Sequence, residues 1–283
     1  MLSRRSLACA LVAFAVLVLG GLSLTAQAPV REITPIRGNL YRFRNNGHFS
    51  VFLVTPAGVI ATDPIDPEAA AYLKREIATR FKVPVKYVIY SHGHEDHASG
   101  GEVFADTATF IGHDITKAMM AADKVPSPLP TETFATTKTV TLGGATVELS
   151  YLGPNHADGM IVMRFPKERT LFAVDIVPID SVAYRDFPNA DISGWIASLR
   201  KIEQMDFELL APGHGPMGTR DHARRHREYL EDLKTQVSAH IQHGMTLIET
   251  RDAVNLTKYK AWTGYDTSRD LNIDGMFRLM GGR

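Results

Sequence analysis

The stretch SHGHEDHASG, Ser91–Gly100, sets three histidines and two acids within six residues, straight after the apolar run Lys86–Tyr90. Zinc and related ions take imidazole and carboxylate ligands, and catalytic sites leave one position open for water. His92 and His94 lie two apart, so an extended backbone leaving a strand aims both at one ion. Asp96 and His97 follow where a helix towards Phe104 is expected to start, and there they turn towards a second ion. A solvated loop is the bland alternative, but such loops seldom need histidine at all. Half of a two-metal site is therefore the working expectation.

Outward from this stretch, short apolar runs alternate with turn residues. Strands are predicted at Asn39–Arg44, Phe49–Thr55 and Gly58–Thr62, joined by Asn46-Gly47 and Pro56-Ala57-Gly58. Pro67 opens a helix, Glu68–Phe81, with Ala69, Leu73 and Ile77 on its apolar face. A strand at Thr107–Gly112, a helix through Met119 and Met120, and a proline-rich loop at Val125–Thr131 come next. Strands then follow at Thr137–Leu142, Ala145–Leu152, Met160–Phe165 and Arg169–Val174. A helix at Ile192–Met205, a strand at Phe207–Leu210 and a long helix at Arg220–Ile241 complete the pattern. Leu230, Leu233, Val237 and Ile241 form the apolar stripe of that last helix. The order implies two similar halves, with helices outside a central pair of sheets. No repeat, low-complexity tract or long linker divides 29–283, which is expected to be one domain.

Three more candidate ligands stand at predicted strand ends: His156 in LGPNHADG, Asp175 in TLFAVD and His214 in LAPGHGP. Any one of them alone is most simply structural or solvated. All three beside glycines or prolines that turn the backbone sharply is a different matter. Together with the opening stretch they resemble the metallo-β-lactamase fold superfamily, from about Asn39 to Gly218. In that resemblance, Asp63 in ATDPID matches a structural aspartate that ends a strand. His92, His94, Asp96 and His97 match the second motif, and His156, Asp175 and His214 the third, fourth and fifth.

The resemblance implies an α/β fold, a four-layer αββα sandwich. It assigns His92, His94 and His156 to one metal and Asp96, His97 and His214 to another, with Asp175 between them. It also implies two zinc ions as cofactors, with iron or another divalent metal as the alternative. A bridging hydroxide would then open an amide or ester carbonyl, with Asp96 as the catalytic residue that orients the attacking water. β-Lactam rings are among the candidate substrates. The best-known β-lactamases, however, carry a cysteine at Asp175 and a lysine at Pro178, and aspartate there looks more like thioester- and lactone-cleaving branches. An iron-dependent sulfur dioxygenase is a further alternative.

The N-terminal stretch 1–28 has Arg4 and Arg5, an apolar run Leu7–Leu24 and Ala26-Gln27-Ala28, the order of a secretory signal. Ser3-Arg4-Arg5-Ser6-Leu7 also resembles a twin-arginine signal. The expected location is periplasmic or secreted, with no membrane contact unless the signal is retained as an anchor. The only cysteine, Cys9, falls in that stretch, so the rest has neither a disulfide nor a thiolate ligand. Without Arg4 and Arg5 the chain is slightly acidic and has no basic run, which excludes nucleic acid as a partner. The expected partner is a small-molecule substrate; the sequence leaves oligomeric state open. Substrate contacts are expected from His48 and Phe49 in the first hairpin and from Tyr184 and Arg185 after Asp175. His113 is expected to end a strand without binding metal. His222 and His226, beside Arg220, Arg224 and Arg225, read as a solvated charged face. Met119, Met120, Trp195 and Trp262 read as core.

Overall fold

A computed structural model describes residues 28–282; the signal-like stretch, with Cys9, lies outside the described residues. The first half runs β1 (Arg31–Arg37), β2 (Leu40–Asn45), β3 (His48–Thr55), β4 (Gly58–Thr62), α1 (Pro67–Phe81), β5 (Val85–Ile89) and α2 (Glu95–Ala98). A 3-10 turn at Gly101–Phe104, β6 (Thr109–His113), α3 (Asp114–Ala122) and β7 (Glu132–Phe134) follow. The second half comprises β8 (Thr137–Leu142), β9 (Ala145–Tyr151), β10 (Ile161–Phe165), β11 (Thr170–Val174), α4 (Ile192–Gln204) and β12 (Leu209–Pro212). Three helices close the chain: α5 (Arg220–Gln242), α6 (Leu247–Ala253) and α7 (Tyr265–Leu279).

Strands β1 to β7 form one sheet in sequence order, and the other sheet is ordered β12-β11-β10-β9-β8. Period-two alternation decides which side chains meet between them. Val51 and Leu53 of β3 join Ile161, Met163 and Phe165 of β10 in the core between the sheets. Phe52, between the first two, points the other way and packs with Leu73 and Ile77 of α1. Leu171 and Ala173 of β11 likewise face Leu199 of α4 and Leu230 and Leu233 of α5. The layers are therefore helix, sheet, sheet, helix, the αββα order expected.

The helix expected to run from Asp96 to Phe104 is instead α2, a break at Ser99-Gly100, and the 3-10 turn. Gly100 holds φ 86° against the Asp66 backbone, a conformation and a closeness that stop the helix there. Strand β1 and helices α6 and α7 were not expected. The strand expected at Phe207–Leu210 sits two residues later, at Leu209–Pro212.

Parallel pairing aligns several strand ends. β4 pairs with β5, and β11 with β12, each in parallel. Asp63, His92, Asp175 and His214 thus leave their strands close together, on two sheets that are packed face to face.

Candidate metal centre

Asp175 is the hub. Its Oδ2 lies 3.7 Å from His92 Nε2, 3.7 Å from His156 Nε2 and 3.3 Å from His97 Nε2, while its Oδ1 lies 3.6 Å from His214 Nε2. Asp96 Oδ2 lies 3.6 Å from His97 Nε2 and 3.5 Å from both His214 Nε2 and His48 Nε2. The His94 ring stands 4.5 Å from that of His92 and 5.2 Å from that of His156. All seven expected ligands converge, in overlapping donor groups whose atoms lie within 4.8 Å of one another.

Local structure aims these rings. The Ser91 hydroxyl lies 2.9 Å from His92 Nδ1, and the Gly47 carbonyl 3.2 Å from His214 Nδ1. Asp63 accepts the Ser91 N–H through Oδ1 at 2.7 Å and holds Oδ2 3.4 Å from His97 Nδ1. In His92 and His214 one nitrogen is occupied and Nε2 is turned inward, the arrangement that outer partners impose on metal-binding histidine. Val174 holds φ 49°, a costly conformation for a β-branched residue, immediately before the hub. Gly213 has no alternative: a Cβ there would lie 2.7 Å from His97 and 2.8 Å from Asp175 Oδ1.

The donor set fits a cation. Ligand atoms about 2.1 Å from a tetrahedral ion lie about 3.4 Å apart, and the contacts around Asp175 bracket that value. His92 Nε2 and Asp175 Oδ1 are buried without hydrogen-bond partners among the described residues, which is costly unless something else satisfies them. His97 Nε2 and His214 Nε2 face each other at 3.2 Å.

Charge agrees. Burial pulls His156 down to about 4 and His92 well below the usual imidazole range, so both are neutral, the ligating form, near neutral pH. Burial would also lower His97, but the charge and hydrogen bond of Asp175, with Asp63 behind, hold it well above that range. Burial pushes the Asp96 carboxyl up, and hydrogen bonds to His214 and His48 more than reverse that.

A cavity of about 820 Å³ opens beside the cluster, and His48 and Tyr184 line it as expected. Phe49 does not line it. Its ring lies under the Arg42 guanidinium, 3.6 Å from the centroid, because alternation along β3 turns it away from His48. Arg185 does not line the cavity either; its guanidinium sits 5.9 Å from the Tyr184 ring. Trp195 is core as expected, but it also reaches the cavity beside His156.

Sequence reasoning missed Arg42. Buried on β2, it donates through Nη2 to the carbonyls of Gly215 (2.6 Å) and Pro212 (3.3 Å), on either side of His214. Arg42→Met should weaken the ion held by His214 about 10- to 100-fold, the usual cost of losing an outer partner. Competitive zinc titration checks this, and unchanged affinity would mean that the loop holds itself.

His226 is a correction: it is fully buried, not solvated. It lies on the α5 stripe between Ala223 and Tyr229, with Trp195 5.4 Å away, and neither ring nitrogen has a partner among the described residues. Burial lowers its pKa to about 3. The unfolded chain, near 6.5, therefore binds a proton that the folded one refuses, so stability falls as pH drops below 6.5 towards 3. At pH 5 this costs about 2 kcal/mol relative to pH 8. His226→Phe should remove that acid dependence in urea unfolding at the two pH values; an unchanged difference would locate it elsewhere. His222 is a helix cap, its Nδ1 accepting from Thr219 N–H at 3.0 Å. His113 ends β6 and caps α3, as expected of a non-ligand.

The model of the metallo-beta-lactamase superfamily matches residues 48–214, from His48 to the last of the converging histidines. The chain belongs to this superfamily. A 2,4-dinitroanisole O-demethylase subunit alpha of Nocardioides sp. is 31% identical over 191 residues, 66% of this chain and 58% of that protein. The chain thus spans a little over half the length of that relative. The metallo-beta-lactamase type 2 of Elizabethkingia meningoseptica is 27% identical over 249 residues, 82% of this chain and 92% of that one. Among solved structures, a metallo-beta-lactamase from Pontibacter korlensis superposes with a TM-score of 0.65 at 22% identity, over 71% of this chain and 99% of that one, a likeness of fold. The superfamily relatives are hydrolases or related enzymes, and this chain has a His/Asp cluster able to hold a metal ion.

Proposed function

We propose that this protein is a hydrolase that holds two divalent ions, zinc first among them, and opens an ester or amide carbonyl. One observation carries the reading: Asp175 stands between His92 and His156 on one side and His97 and His214 on the other. His94 completes the first set and Asp96 the second. Bound there, divalent ions lower the pKa of water and polarise a carbonyl oxygen. Asp96 reaches the cavity, where its carboxylate, held ionised by His214 and His48, accepts a hydrogen bond from the attacking water and orients it. His48 also lines the cavity, with Nε2 3.5 Å from Asp96 Oδ2. Trp195, beside His156, and Phe187, next to it, give the cavity an apolar wall beginning near the cluster.

Similarity to the Elizabethkingia enzyme over 92% of its length keeps a β-lactam amide among the substrates. Aspartate rather than cysteine at position 175 favours a thioester or lactone as the second reading. Export, drawn from the 1–28 segment, belongs to the same proposal. The zinc-loaded protein is to be assayed against a chromogenic cephalosporin, a lactone, a thioester and an aryl ester. Turnover of at least one is expected; inactivity on all four with metal bound would overturn the reading.

A further inference from the structure

We propose that the non-reacting part of the substrate is uncharged and largely apolar, and that a wall built by the start of α7 selects it. This rests on the reading above for which end of the cavity holds the chemistry. At about 820 Å³ the cavity suits a small molecule well beyond a single acyl group. One end is the metal cluster. The other is formed by Val182 and Phe187 from the segment between β11 and α4, and by Thr263, Gly264, Thr267 and Ser268 at the start of α7.

Among the described residues, no lysine or arginine lines this space. A carboxylate carried to the far end would find no cation there, whereas an alkyl or aryl group would gain apolar contact with Val182 and Phe187. The hydroxyls of Thr267 and Ser268 are neutral dipoles, suited to an ether, ester or nitro oxygen rather than to an ion.

The wall is held rigidly. Buried Asn272 of α7 donates through Nδ2 to the carbonyls of Ala183 (2.9 Å) and Arg185. Thr263 N–H donates to Asp180 O at 2.8 Å, and Val182 N–H to Thr263 O at 3.1 Å. Gly275 lets α7 approach the segment closely: a Cβ there would lie 2.1 Å from Asp186 O. The superfamily match ends at residue 214, before α7 begins. A preformed wall loses little freedom on binding, so its shape and charge translate into selectivity.

Two ketones that cannot be hydrolysed test this: butyrophenone and 3-benzoylpropionate, which differ by a methyl against a carboxylate. Calorimetry on the zinc-loaded protein should show the neutral ketone binding at least about tenfold more tightly. Thr267→Lys, at an exposed helical position, should shift the ratio about tenfold or more towards the acid. Stronger binding of the acid by the natural chain, no binding of the neutral ketone, or a ratio untouched by Thr267→Lys would each overturn the proposal. Hydrolysis of phenyl butyrate, measured in parallel, reads the reaction separately. Absent turnover with the ketone preference intact contradicts the hydrolase reading and not the wall.

Discussion

Asp175→Ala should lower kcat/KM by at least about 10³-fold, the scale seen when a stabilising group at the reacting centre is lost. Asp175 alone touches both donor groups, within 3.7 Å of His92 and His156 and within 3.6 Å of His97 and His214. Its removal leaves His92 and His156 with no carboxylate contact and His97 and His214 with Asp96 alone. Burial would raise its own pKa, yet the charge and hydrogen bond of His97 hold it well below the carboxylate range. It is therefore charged at every working pH. Asp175→Asn keeps the shape and loses that charge, so it should fail almost as badly. Steady-state kinetics checks both variants, with circular dichroism to establish folding. A folded Asp175→Asn protein with natural activity would show that the hub is only structural.

Chelation should be nearly as damaging. Dialysis against dipicolinate is expected to abolish turnover, and zinc to restore it. Stability should fall as well, because an ion at a thousandfold excess over its Kd adds about 4 kcal/mol to the folded state. For a chain of this size that is roughly 10 °C in Tm. The metal-free protein also keeps His92 Nε2 and Asp175 Oδ1 buried and unsatisfied. Calorimetric scans with and without zinc read the shift, and coincident scans would mean that the cluster holds no ion.

The layer order and the converging ligands were legible because both are written in short-range patterns. Alternation along β3 and β10 assigns Val51 and Met163 to the inner core, and each ligand follows a strand end. His226 was misread for a physical reason. The stripe of α5 was taken to begin at Leu230, and three arginines nearby looked like a wet face. The buried face in fact starts at Ala223, about one turn before His226. Strand β1 was missed because REITPIR mixes partly buried and exposed positions around Pro35. Helix α7 was missed because its packing face includes Asn272 and Gly275, residues that report a helix poorly in sequence. Their value lies in contacts with the Ala183–Asp186 backbone, more than eighty positions away. Arg42 was unreadable for the same reason: nothing near it in sequence announces the His214 loop.

Elemental analysis of the purified protein, equilibrated with zinc and freed of excess, tests the central claim most directly. Two donor groups sharing one carboxylate predict two ions per chain, falling to about one in a His97→Ala, His214→Ala double variant. A chain that retains no stoichiometric metal under these conditions would contradict the account.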